Sequence, residues 1–145
     1  MITPAPTNKI DPKLCRGIFD RAIPATATVA EHVVVSIPDT SYQIHLIPTA
    51  PVSAAAGHRV IGKIRVSARR IDEVQSGGRY LEPVFGRPRR VQGTVIAVES
   101  DAVVVNAGVP VWVQPTDSRQ SPADFQVGQF VSFDALEGAT FTQQS

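Results

Sequence analysis

The chain has 145 residues, 43% hydrophobic and 19% charged, with 12 prolines, 10 glycines and one cysteine, a composition that excludes disordered and fibrous classes. A lone Cys15 excludes an internal disulfide, three histidines with no nearby cysteine pair offer no zinc cluster, and 14 basic against 13 acidic side chains leave a net charge of only +1. Apolar runs stop after a few residues, as at Val33 to Val35 and Val103 to Val105, far short of the about 20 that a membrane-spanning helix needs.

Residues 1–28 carry Pro4, Pro6, Pro12 and Pro24 among Thr and Ala and read as a proline-rich N-terminal arm. Within it, only Leu14 to Phe19 has the pattern of a helical turn or a short strand. No basic stretch followed by an apolar core marks an export signal, so a cytoplasmic protein is expected. From Val29 onward, short runs rich in Val and Ile are separated by Gly, Pro, Asp, Asn and Ser, the pattern of strands and turns. Strands are expected at 29–37, 42–47, 59–68, 89–98, 102–106, 109–113 and 129–136. Leu occurs only four times and no segment repeats at 3.6 residues, so residues 29–145 are expected to form one all-β barrel domain of about seven strands.

Two hairpins have a local mechanism. Asn106, Ala107 and Gly108 separate two valine-rich runs and tolerate positive φ where a tight turn requires it; Pro38-Asp39 starts a longer turn before Tyr42 to Leu46. The two regions also resemble one another. Val33 to Val35, Pro48-Thr49, Gly57 and Val60 recur in the same order as Val103 to Val105, Pro115-Thr116, Gly128 and Val131. That recurrence fits an internal duplication with repeat units 29–75 and 89–136; chance recurrence in a valine-rich β protein is the alternative.

The near-zero net charge conceals a division. From Arg59 to Arg90 there are nine basic and three acidic residues, whereas 91–145 contains one basic and six acidic. A basic middle attracts polyanions, single-stranded nucleic acid among them, because Arg and Lys contacts to phosphate supply most non-specific affinity. Alternatively, the two regions neutralise one another within a chain or between chains of a homo-oligomer. On an extended 59–69, Val60, Gly62, Ile64, Val66 and Ala68 face the core while Lys63, Arg65 and Arg69 face outward. Arg70 follows at the end of that run. The stretch Gly77 to Arg90 then brings Arg79, Tyr80, Phe85, Arg87, Arg89 and Arg90 together with three glycines and two prolines. It reads either as a basic loop that lays arginines on phosphates and a ring on a base, or as a crossover between two β units with Phe85 plugging the core. Trp112 alternates with Val111 and Val113, so it points away from their core and belongs under the arm or in a subunit contact.

The stretch Arg90 to Val98, the hairpin from Ala102 to Val113, and Phe125 to Phe133 with Gly128 ahead of an apolar alternation resemble the pattern of small OB-fold-like β-barrels. The resemblance spans about 45 residues and implies a barrel of a kind that often binds oligonucleotides on one face. Catalytic chemistry is not evident. His32, His45 and His58 recur every thirteen residues without acidic partners at ligand spacing, no serine lies in a nucleophile elbow, Gly77-Gly78 lacks the strand and helix of a phosphate loop, and Asp72-Glu73 beside Arg69-Arg70 suits a local ion-pair cluster. The expectation is a non-catalytic binding module without metal or cofactor, whose anion-binding residues are Lys63, Arg65, Arg69, Arg70, Arg79, Tyr80, Phe85, Arg87, Arg89 and Arg90. A homo-oligomeric adaptor with Trp112 at its interface is the alternative.

Overall fold

The structure, a computed structural model, describes residues 11–75 and 77–144. Those residues form strands β1 (Cys15–Ile23), β2 (His32–Ser36), β3 (Gln43–Pro48), β4 (His58–Glu73), β5 (Tyr80–Glu82), β6 (Phe85–Gly86), β7 (Arg90–Val98), β8 (Val103–Asn106), β9 (Pro110–Pro115), β10 (Phe130–Ala135) and β11 (Thr140–Gln143), with a single 3-10 turn at Pro122–Asp124. The fold is all-β. Among the described residues no helix is long and apolar enough to cross a membrane.

Hydrogen-bonded pairing closes two rings of five strands that share β4. The first runs β1, β2, β3, β11, β4 and back to β1. The second runs β7, β8, β9, β4, β10 and back to β7. The shared strand is 16 residues long, well above the usual five or six, because its first half serves one ring and its second half the other. Closure leaves few free strand edges, which removes a common route to aggregation.

The rings match strand by strand. Each begins with a three-stranded antiparallel meander whose third strand pairs in parallel with the next member, β11 in the first ring and β4 in the second. A register shift interrupts β1 against β2 between Phe19 and Arg21, and β7 against β8 between Val95 and Ala97. The Gly57 amide donates to the Phe19 carbonyl at 2.7 Å, and the Gly128 amide to the Val95 carbonyl at 2.9 Å. Thr49 N donates to Phe141 O and Thr116 N to Ala68 O. Both glycines have positive φ, 86° and 100°, which favours glycine at these turns. The exchange between halves is reciprocal: β4 runs on to complete the second ring, and the chain after β10 returns as β11 to complete the first.

Alternation explains what is buried. Along β4, Val60, Gly62, Ile64, Val66 and Ala68 point inward while Lys63, Arg65 and Ser67 are half-exposed. An extra residue then intervenes, since Phe133 and Ala135 pair with Ile71 and Ala68. This bulge leaves Arg69 and Arg70 both exposed before Ile71 turns back in. The inward rows of both rings merge into one continuous core containing Val35, Ile44, Leu46, Ile64 and Phe141 as well as Val91, Val95, Val111 and Phe133.

Three sequence expectations need correction. Residues 15–23 are not part of an arm: Cys15, Gly17 and Phe19 turn inward and β1 closes the first ring, with Cys15 fully buried. Burial pushes the Cys15 thiol up to about 12. Residues 1–10 of the expected arm lie outside the described residues. The matching units run from β1 to β4 and from β7 to β11, so 29–75 and 89–136 omit the strand that opens the first unit and the strand that ends the second. Eleven strands form where seven were expected, the additions being β1, β11 and the short β5 and β6, which run for only three and two residues.

Candidate ligand-binding groove

The basic residues singled out in the sequence do not share one surface. Lys63 lies over the face of Trp112, its Nζ 3.9 Å from the ring centroid, and Arg65 is 2.6 Å from the Asp101 carboxylate. Arg70 pairs with Asp72 at 2.9 Å, and Arg90 with Asp134 at 2.7 Å while it also donates to Ser132 Oγ. That carboxylate and the Tyr80 hydroxyl, 3.4 Å from Arg90 Nε, hold the guanidinium above its ordinary pKa. Arg87 reaches Glu137 at 3.2 Å. Arg69, Arg79 and Arg89 are exposed and make no ion pair among the described residues. Three cations of the basic middle, Arg65, Arg87 and Arg90, therefore meet carboxylates of the acidic end inside one chain. The bulge is the reason Arg69 and Arg70 leave the Lys63 row, and β6 is the reason Phe85 and Arg87 leave the rest of their loop.

Phe85 is not a core plug. It is 53% exposed on β6, which pairs in parallel with Gln43 and Ile44 of β3. From there it meets the His45 ring edge-on, with centroids 4.7 Å apart. His45 in turn stacks on His32 at 5.2 Å and an interplanar angle of 26°. Beside these rings runs a groove of about 680 Å³, lined by Thr28, Val29 and Ala30 from the β1–β2 loop, His32 and His45 from the sheet, Arg87, and the turn Glu137 to Ala139 that leads into β11. Its volume is within the range of small-molecule sites. His45 Nε2 is buried without a hydrogen-bond partner. Burial first, then the neighbouring His32 and Arg21, lower the His45 pKa below its ordinary 6.5. His32 Nδ1 lies 3.2 Å from the Ala30 carbonyl.

The matching position on the second ring is closed. Register places Trp112 where the first ring has His45, Val104 where it has Val34, and Ala102 where it has His32. Trp112 is only 7% exposed and packs with Ala102 and Val104. Its Nε1 donates to the Lys13 carbonyl at 2.8 Å. Tryptophan is thus covered within its own chain by the segment just before β1. One wall also differs. The first ring is bounded by a turn carrying Gly138, with φ 98° and open space where a Cβ would stand, whereas the second is bounded by continuous β4, which brings Arg65 and Lys63 alongside Trp112.

Of the residues the sequence singled out for anion binding, Phe85 and Arg87 stand at this groove, whereas His32, His45 and Gly138, which also stand there, were not among them. The signal was present. Aligning Pro48-Thr49 with Pro115-Thr116 sets His45 opposite Trp112, each three residues before its proline. No protein-family model matches the chain, and no curated protein or solved structure matches it.

Proposed function

We propose that this chain is a non-catalytic binding module that holds a segment of an anionic ligand, single-stranded nucleic acid by chemistry, in the groove of the first ring. The observation that carries the proposal is position. OB-type barrels bind their ligands on the face of the second and third strands, between the loop joining strands one and two and the loop joining strands four and five. With β1, β2, β3, β4 and β11 taken as those five strands, the groove lies on the corresponding face: His32 and His45 form its floor, the Thr28 to Ala30 loop between β1 and β2 forms one rim, and the Glu137 to Ala139 turn, which enters β11 from β10 rather than from β4, forms the other. The chemistry agrees. Phe85 and the imidazole rings offer π faces for a base, and Arg87 offers a cation to the adjoining phosphate in competition with Glu137. Architecture alone would not assign a ligand; the open groove with its rings and cation is what supports this one.

The test is an anisotropy titration of labelled oligothymidylate with the full chain at low and moderate salt. Affinity falls steeply with salt, Arg87→Glu weakens binding about tenfold by removing one phosphate contact and adding repulsion, and Phe85→Ala weakens it about five- to a hundredfold, the cost of one lost base stack. Absence of binding at low salt, or full affinity in both variants, overturns the proposal.

A further inference from the structure

The second ring carries the matching position in a different state. Trp112, Lys63 and Arg65 stand together there, with Lys63 directly over the ring and Arg65 beside Trp112 in register on the neighbouring strand. This is the combination that stacks a base and holds its phosphate. It is shut by a short piece of the same chain. The Lys13 carbonyl accepts from Trp112 Nε1, and the Lys13 ammonium reaches back to Glu99 at 3.7 Å. The piece is folded by Asp11, whose Oδ1 accepts from Lys13 N at 2.9 Å and whose carbonyl accepts from Leu14 N at 3.1 Å. Both Asp11 and Pro12 are exposed. The hold includes one hydrogen bond to the indole, one half-exposed ion pair, the Lys13 ammonium 6.0 Å from the Trp112 ring centroid, the half-buried Leu14 and a local turn, polar contacts of modest net strength each.

We infer that residues 11–14 are a displaceable plug over a second, latent site for single-stranded nucleic acid, in which Trp112 stacks a base and Lys63 and Arg65 take phosphates. The ligand class rests on the function proposed above; the plug and the cluster under it do not. When the plug leaves, Lys63 exchanges the indole face for phosphate, and Arg65 exchanges Asp101 for phosphate. A groove that stays open and a twin opened only by displacement give one chain a first and a second point of attachment on the same strand.

Trp112 is the only tryptophan, so its emission reports this site alone. In a full-length Arg87→Glu background, Asp11→Gly loosens the turn. Residual oligothymidylate affinity is expected to rise about two- to tenfold, the equivalent of one net hydrogen bond, and Trp112 emission is expected to be quenched at saturation. Adding Lys63→Ala should reverse the gain. Trp112→Phe is an independent variant that keeps a stacking ring but cannot hold the Lys13 carbonyl, and it too should bind more tightly in that background. A folded Asp11→Gly protein, by circular dichroism, whose affinity is unchanged and whose emission ignores the oligonucleotide overturns the latent site. If Arg87→Glu leaves the affinity of the unmodified chain untouched while Asp11→Gly still raises it with quenching, the groove fails and the latent site stands.

Discussion

Gly17 and Gly93 occupy matching places in the two rings, yet they are predicted to tolerate alanine differently. A Cβ on Gly93 would overlap the Asn106 carbonyl and come within 3.1 Å of Ala107 Cα. Both are backbone atoms, and they are held by the hairpin in which Gly108 N donates to Asn106 Oδ1 at 3.0 Å. A Cβ on Gly17 would meet Val35 Cγ1 at 2.5 Å and the Ser36 carbonyl at 3.0 Å; the first is a buried side chain, stiff at χ1 but able to shift, and only the second is backbone. Overpacking costs about 1–3 kcal/mol and more where the backbone must move. Loss of unfolded-state freedom on replacing glycine returns about 0.4–1 kcal/mol. Gly17→Ala is therefore expected to lose about 1 kcal/mol and Gly93→Ala about 3 kcal/mol. At about 2–4 °C per kcal/mol for a chain of this size, these are Tm decreases of about 2–4 °C and 6–12 °C. Thermal and urea unfolding followed by far-UV circular dichroism measures both. Equal losses, or a larger loss for Gly17→Ala, would refute the assignment of rigid backbone at one site and yielding side chain at the other.

Three further predictions follow from burial and topology. His45 is held below its ordinary 6.5 by burial, His32 and Arg21, with Arg87 also lining the groove it shares, so the unfolded chain binds more protons as pH falls below 6.5 and stability must decline there. The urea midpoint should drop more between pH 7.5 and 5.5 for the unmodified chain than for His45→Gln; parallel drops would contradict this. Cys15, buried with its thiol near 12, should resist iodoacetamide at pH 8 and react only in denaturant, and rapid native labelling would show that β1 is not seated as described. Because β4 completes the second ring and β11 the first, fragments 1–77 and 78–145 should each lack the near-UV signal of a packed core and regain it on mixing one to one. Independent folding of either fragment would overturn the reciprocal exchange.

Much of the meander was legible because local chemistry and tertiary demand agree there. Val33 to Val35 and Val103 to Val105 are β-branched, flanked by turn residues, and buried. The shared strand was legible only in part: alternation from Val60 to Ala68 held, but the bulge at Arg69-Arg70 breaks parity, and a tenth or later residue in one strand has no local signature. β1 was misread because Pro12 and Pro24 bracket it and its inward row includes Gly17, which contributes no hydrophobic signal. β11 was missed because Thr140 to Gln143 contains a single large apolar residue, Phe141, whose burial depends on pairing with β3 and β4 from the other end of the sequence. The charge division showed that the basic middle could meet the acidic end, as Arg65, Arg87 and Arg90 do, but not how those residues are arranged. Which of two neighbouring arginines meets a carboxylate depends on register, and register between distant strands is invisible in a linear chain. The groove was hidden for the same reason, since His32, His45, Phe85, Arg87 and Glu137 converge only once β6 and the turn before β11 have docked on β3.

The most direct test of the binding proposal is a backbone amide shift map of the full chain titrated with a short oligothymidylate at low salt. The largest shifts are expected at Thr28 to His32, His45 to Ile47, Phe85 to Arg87 and Glu137 to Ala139, with the exposed Arg79 and Arg89 little changed. Shifts concentrated away from the groove, or none at all, would contradict it.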